Sequence, residues 1–281
     1  MRPGVLRNAS TAVLGPLAIA AVLSLAMVGL AEATGVTTLT ESFEAGGERV
    51  IDVQMTLVAY LCATAVVIAT TALPTRRRKL RRIPPVAAAV GALAPIPLLN
   101  ARADEYIGGL ASDAVLAGVI VGGIAGFLLA PLATNALTGV ATHAVLLWLA
   151  ALISTATTDT VVYAGLVHPA TTTVLDGLPT LLPYALASVV VTAALAFWFA
   201  RRGATRGTAV VAAAAAPVLA AALYPVVGMD LWNAEAAPAA AAVAVIATLA
   251  AVVSASAGRR ATAPSKATPR PGTAPEPRRN G

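Results

Sequence analysis

Between successive charged residues this chain leaves seven long apolar intervals: 8–31, 53–75, 83–101, 114–158, 177–200, 207–229 and 236–258. In order they hold 24, 23, 19, 45, 24, 23 and 23 residues. A helix needs about 20 apolar residues, at 1.5 Å each, to cross a hydrocarbon core of about 30 Å. Six intervals therefore suit one crossing each. The 45-residue interval suits two, with Thr134-Asn135 just after Pro131 supplying turn-forming residues near its middle. The expected fold is all-α, a polytopic membrane helix bundle over residues 1–257. Its eight transmembrane helices are expected at 9–31, 53–74, 84–101, 114–133, 136–157, 178–200, 208–228 and 237–257. A hydrophobic fraction of 58% leaves too little polar material to clothe a soluble domain of this length.

The charges orient this bundle. With the N-terminus inside, 17 of the 19 Lys and Arg fall on inner segments, including Arg76, Arg77, Arg78, Lys79, Arg81 and Arg82, and only Arg49 and Arg102 fall outside. Twelve of the 13 acidic residues fall outside, Glu276 being the exception. Basic residues stay on the cytoplasmic side during insertion, so both termini are expected there. Net charge +6 then reflects orientation and attraction to the lipid bilayer's headgroups, and no nucleic-acid partner is expected. The preference for Ala, Val, Gly, Pro and Arg, with only two Lys, points to a GC-rich bacterial genome and hence to the cytoplasmic membrane. Arg2, Arg7, the first apolar stretch and Ala31-Glu32-Ala33 also resemble a cleavable signal. The stretch exceeds the usual 7–15 residues of a signal core, which favours an uncleaved first span.

Several chemistries are set aside by what the sequence lacks. No inter-span segment is long enough to bury a domain core, and no Walker-type loop is present. Cys62 is the single cysteine, and His143 and His168 are assigned to opposite sides, so neither metal nor cofactor is expected. The tail 258–281, with Pro264, Pro269, Pro271, Pro275 and Pro277 among basic and small residues, is expected to be a disordered cytoplasmic segment.

A shift of 124 residues lays Val50–Arg78 on Val174–Arg202 without a gap. Matches include Asp52/Asp176, Thr56/Thr180, Tyr60/Tyr184, Ala63/Ala187, Val66/Val190 and Arg77-Arg78/Arg201-Arg202. The Asp-x7-Tyr spacing carries most weight, since Ala and Val coincide cheaply in apolar segments. An even number of spans returns the chain to its starting side, so the expected duplication is a parallel four-plus-four repeat. Prolines interrupt matching spans: Pro95 and Pro97 in the third, Pro217 and Pro225 in the seventh. Broken helices at matching positions of two halves point to a transporter's central site, although kinks are also common structural features of membrane helices. Gly118, Gly122 and Gly126 form a small-residue stripe for close helix packing, with the partner left open.

Candidate chemistry is thin. His143 is the only readily ionised side chain inside a span and is read as a hydrogen-bonded packing residue one to two turns from the inner surface. Asp52 and Asp176 begin the second and sixth spans, where capping of helix amides accounts for both. Tyr60 and Tyr184, two turns deeper, either line a shared cavity or pack. Arg102, Asp104 and Glu105 form the most polar outer spot, able to bind a cation, to act as acid and base, or simply to be solvated. Three functions follow. First comes a permease or carrier, alone or as the membrane subunit of an exporter with a separate cytoplasmic ATPase. Second is a noncatalytic accessory or scaffold paired with another membrane subunit, and third an enzyme acting on a lipid-linked substrate at the outer face.

Overall fold

The computed structural model describes residues 3–37, 39, 48–73, 82–103, 105–157, 161–163, 166–168, 178–227 and 231–262. They form α1 (Pro3–Ala33), α2 (Glu48–Ala72), α3 (Ile83–Gly91), α4 (Pro95–Arg102), α5 (Glu105–Leu129), α6 (Ala133–Thr157), α7 (Leu178–Arg201), α8 (Arg206–Val227) and α9 (Leu231–Thr262). Between α6 and α7 lies one small antiparallel ladder, β1 (Val161–Tyr163) on β2 (Leu166–His168), pairing Val162 with Val167. Seven helical segments are long and apolar enough to cross a membrane, the α5–α6 stretch Glu105–Ala150 counting as one of 46 residues. The molecule is thus a helical bundle of multi-pass membrane character.

The boundaries differ from expectation in instructive places. The third apolar interval is two helices, broken at residues 92–94, with Pro95 and Pro97 in the first turn of α4. Two prolines within one turn remove two donors there. In contrast, α8 runs unbroken through Pro217 and Pro225, which stand eight residues apart and remove one ladder bond each. The 45-residue interval bends at a 3-10 turn, Ala130–Leu132, with Ala133 at φ +35°, slightly before Thr134-Asn135. Pro131 itself starts the break, since it offers no amide to Phe127. At the far end α9 continues through Arg259 and Arg260 to Thr262, so the helix takes in the first residues assigned to the tail, and 263–281 lie outside the described residues.

Close approaches give the helix directions. A Cβ added to Gly118 would fall on the Ala59 backbone, one on Gly122 would lie 2.7 Å from the Ala63 Cα, and Gly126 faces Thr70. Alpha-5 therefore runs alongside α2 in the same sense, and the glycine stripe's partner belongs to this same chain. Beyond the turn the chain heads back: by Leu147 and Trp148, α6 has reached Leu57 and Leu61, in the first half of α2. Gly91 meets Leu17, Gly15 meets Leu73, Gly139 meets Ala212, and Gly258 meets Phe197. These registers bring the starts of α1, α3, α6 and α8 and the ends of α2, α5, α7 and α9 to one end of the bundle. Arg82, Arg201, Arg202, Arg206, Arg259 and Arg260 stand there; Glu32, Arg102 and Glu105 stand at the other.

Hydrocarbon offers helices no hydrophobic reason to associate, so van der Waals packing through small residues must hold the bundle. That is where the small residues are found: Ala59, Ala63, Ala212, Ala213, Ala216, Ala247 and Ala251 are all buried, with glycines at the crossings. At the arginine end, Arg202 stacks on Trp198 at 4.0 Å and Arg201 lies 5.9 Å from the Phe197 ring centre. Such cation–π pairs suit a boundary between apolar and polar surroundings.

Candidate functional site

Alpha-7 displays a single buried row. Tyr184, Ser188 and Thr192 are buried at four-residue spacing, while Leu186 and Val190 between them are exposed. Residues four apart share a helix face, so the row's three hydroxyls point the same way, inward. Alpha-2 carries the same pattern in Thr56, Tyr60 and Thr64, all buried. One member of the α2 row and two of the α7 row reach a common space: Tyr60, Tyr184, Ser188, His143, Ala216, Pro217, Ala220, Ala240 and Val243 surround one small cavity drawn from five helices. Its free volume is about 10 Å³, at the lower limit for a single water.

His143 is the polar centre of this cluster and is almost wholly buried. Its Nδ1 lies 3.0 Å from the Gly139 carbonyl and its Nε2 lies 3.0 Å from the Thr192 hydroxyl. A carbonyl only accepts, so Nδ1–H donates to it; Nε2 of the neutral ring then accepts from Thr192. Both nitrogens are satisfied. Gly139 serves twice, since its missing side chain also lets α6 rest on the Ala212 backbone of α8. Ten residues, about 15 Å, separate His143 from the start of α6 at Ala133, roughly half a hydrocarbon core. The imidazole stands about three turns into α6, because the helix begins at the Pro131 corner rather than after Asn135. Pro217 adds a further polar group: without its amide, the buried Ala213 carbonyl lacks its normal helical donor.

The other sequence candidates scatter. Alpha-2 begins at Glu48, so Asp52 stands four residues inside the helix rather than at its cap, and its side chain lies outside the described residues. Asp176 and Asp104 also lie outside them. Arg102 ends α4 and Glu105 opens α5, both exposed at the end of the bundle opposite the arginines. Nearby, the Ser112 hydroxyl donates to Asn100 Oδ1 at 3.0 Å and ties α5 to α4. Pro95 is buried and Pro97 exposed in α4, away from the cavity; Pro225 is exposed near the end of α8. Gly118, Gly122 and Gly126 serve the α2–α5 crossing. Among the described residues no group of three or more His, Cys, Asp or Glu could hold a metal ion.

Sequence reasoning paired Tyr60 with Tyr184 but left out Ser188 and Thr192 and treated His143 as isolated. The available signal was the four-residue spacing of Tyr184, Ser188 and Thr192 in an otherwise apolar helix. No family model matches the sequence, and neither curated proteins nor solved structures give a match.

Proposed function

We propose that this chain is an eight-span carrier or permease of the cytoplasmic membrane, built as a parallel four-plus-four repeat, with both termini cytoplasmic and its central site at the Tyr60–His143–Tyr184 cluster. The observation that carries the reading is the meeting of Tyr60 and Tyr184, equivalent under the 124-residue shift, in one buried cavity between the two halves and beside a helix proline. Transporters built from repeats place their sites there.

The packing registers support the repeat. First and third helices of each half meet at an offset of 74 residues (Leu17 with Gly91) and 73 (Gly139 with Ala212). Second and fourth meet at 59 in the first half (Ala59 with Gly118), and Gly258 sits between Phe197 and Ala200, at 61 and 58, in the second. The opposed senses of α5 and α6 support two crossings within the 46-residue segment, and the arginine-rich end supports the orientation. Hydroxyls and a neutral imidazole without fixed charge suit an uncharged, hydrogen-bonding solute. Passage requires helices to part, since the closed cavity admits no more than a water.

One observation favours a second reading, a noncatalytic subunit of a membrane complex: His143 is fully satisfied within the chain, as a packing residue would be. The test compares small-molecule profiles inside and outside cells expressing wild type or the Tyr60→Phe/Tyr184→Phe variant at equal membrane levels. A solute whose distribution follows the wild type and not the variant supports the carrier. No such solute, with a stoichiometric membrane partner in a mild-detergent purification, supports the subunit. A co-purifying ATPase would make the chain the permease of an exporter.

A further inference from the structure

Where the first half of the chain meets the second, α5 and α8 do not close on each other along their whole length. A crevice of about 550 Å³ opens between them, walled on one side by Val121, Ile124 and Leu128 and on the other by α8. Thr248 of α9 is the one polar residue on its wall, and its hydroxyl is spent on the Ala244 carbonyl at 2.7 Å. No lining side chain is left to hold water, so hydrocarbon is the occupant this surface fits.

The α8 wall specifies more. Val210, Ala214, Val218, Ala222 and Val226 line the crevice at four-residue spacing, one unbroken ridge row of the helix. One turn further along the same row stands Arg206, exposed, at the bundle's arginine end. Among the described residues that end carries no carboxylate, because Glu32, Glu48, Asp52, Glu105, Asp113 and Glu235 belong to the opposite half. No described carboxylate at that end competes for the guanidinium. From Val210 to Ala222 the row rises about 18 Å, close to one leaflet of a hydrocarbon core about 30 Å thick.

We propose that this crevice is a binding site for one phospholipid with an anionic headgroup, its phosphate at Arg206 and an acyl chain along the Val210–Ala222 row. The lipid then fills the seam between the two halves at the arginine end, and the site needs only that the bundle lie in a membrane, not that it carry a solute. Small residues alternate with valines along the row, which gives a flexible acyl chain a continuous apolar track.

The full chain, purified in mild detergent, is offered phosphatidylglycerol or phosphatidylcholine with identical acyl chains, and retained lipid per protein is counted by native mass spectrometry. One phosphatidylglycerol is expected to be kept, with phosphatidylcholine held more weakly. Arg206→Gln should weaken phosphatidylglycerol about fivefold, the contribution of one basic group at a membrane surface, and Arg260→Gln at the same end should not. Ala222→Phe, on an exposed wall position, should weaken both lipids. Independently of any variant, a phosphatidylglycerol with a photoreactive acyl chain should label wild-type protein at Val218 and Ile124. Equal retention of the two lipids, equal effects of the two arginine variants, labelling spread over the outer faces of α1 and α9, or a second copy cross-linked into the crevice would each overturn the site.

Discussion

Every residue of α2 from Gln54 to Val67 is buried, whereas α7, the helix that aligns with it at a shift of 124 residues, buries one row and leaves Leu186, Val190 and Trp198 exposed. The two sequence segments share the Asp-x7-Tyr spacing, and the two helices pack on α5 and α9 in nearly the same register. What separates them is what covers their other faces. Alpha-2 is enclosed by α1, α3, α5, α6 and α8, while α7 packs on α9 and α8 and touches the edge of α6. The halves meet through α2 and α5 on one side and α6 and α8 on the other, so apart from Tyr60 and Tyr184 at the cavity the contacting helices are not equivalent ones. Similar segments thus make similar local contacts, and the docking of one half on the other decides which of α2 and α7 becomes the centre. Polarity follows the same asymmetry. His143 and Thr192 form a hydrogen-bonded pair in the second half, where the aligned positions of the first hold Ile19 and Ile68.

The harshest way to break the comparison is to block the shared packing scheme. Gly122→Leu at the α2–α5 crossing and Gly139→Leu at the α6–α8 crossing should each cost more than about 3 kcal/mol, since both drive a side chain into backbone. Loss of monodisperse protein in detergent chromatography would register this, and Gly109→Leu, with open space around it, should behave as wild type. A sharper contrast is the aligned pair Val66 and Val190. Val66→Ala should destabilise by about 1–2 kcal/mol through an unfilled gap, and Val190→Ala by less than about 0.5 kcal/mol because it faces outward. Equal shifts in detergent melting temperature would mean that α7 is as enclosed as α2.

The polar pair offers a cycle of similar size. Thr192→Ile alone leaves His143 Nε2 without its donor and should cost about 1–3 kcal/mol. His143→Ile added to it, recreating the Ile19 and Ile68 of the first half, should recover most of that loss, because no buried polar group is then orphaned. Failure of the double variant to recover would place the pair's importance in shape rather than hydrogen bonding. Among the polar variants the smallest expected effect is that of Tyr184→Phe, less than about 1 kcal/mol on stability. Under the carrier reading it still lowers solute flux, which separates a site residue from a filler.

Much of this was legible in the chain. Charge-free length marks the apolar helices because each uncompensated charge in hydrocarbon is expensive, and the Pro95–Pro97 pair marks the α3–α4 break because two donors vanish within a turn. The Gly118–Gly122–Gly126 stripe announced a close crossing. Its partner was not legible, since a stripe of small residues accepts any small-faced helix, and α2, α6 and α8 all carry one. Continuity of α8 through Pro217 was hidden as well, because the outcome depends on how its neighbours hold the helix.

By itself, then, the sequence determined the number of apolar segments, the separation of basic from acidic ends, and the paired tyrosines at a fixed spacing. These are one-dimensional properties, set by the lengths a helix and a bilayer require and by the chemistry of single residues. The tertiary structure alone decided that His143 meets Thr192, that Tyr60 closes a cavity built mainly by the other half, and that α2 rather than α7 is enclosed. Those outcomes turn on which apolar face meets which. Faces lined with Ala, Val and Gly differ too little in composition for the sequence to rank them, so shape complementarity at each crossing makes the choice.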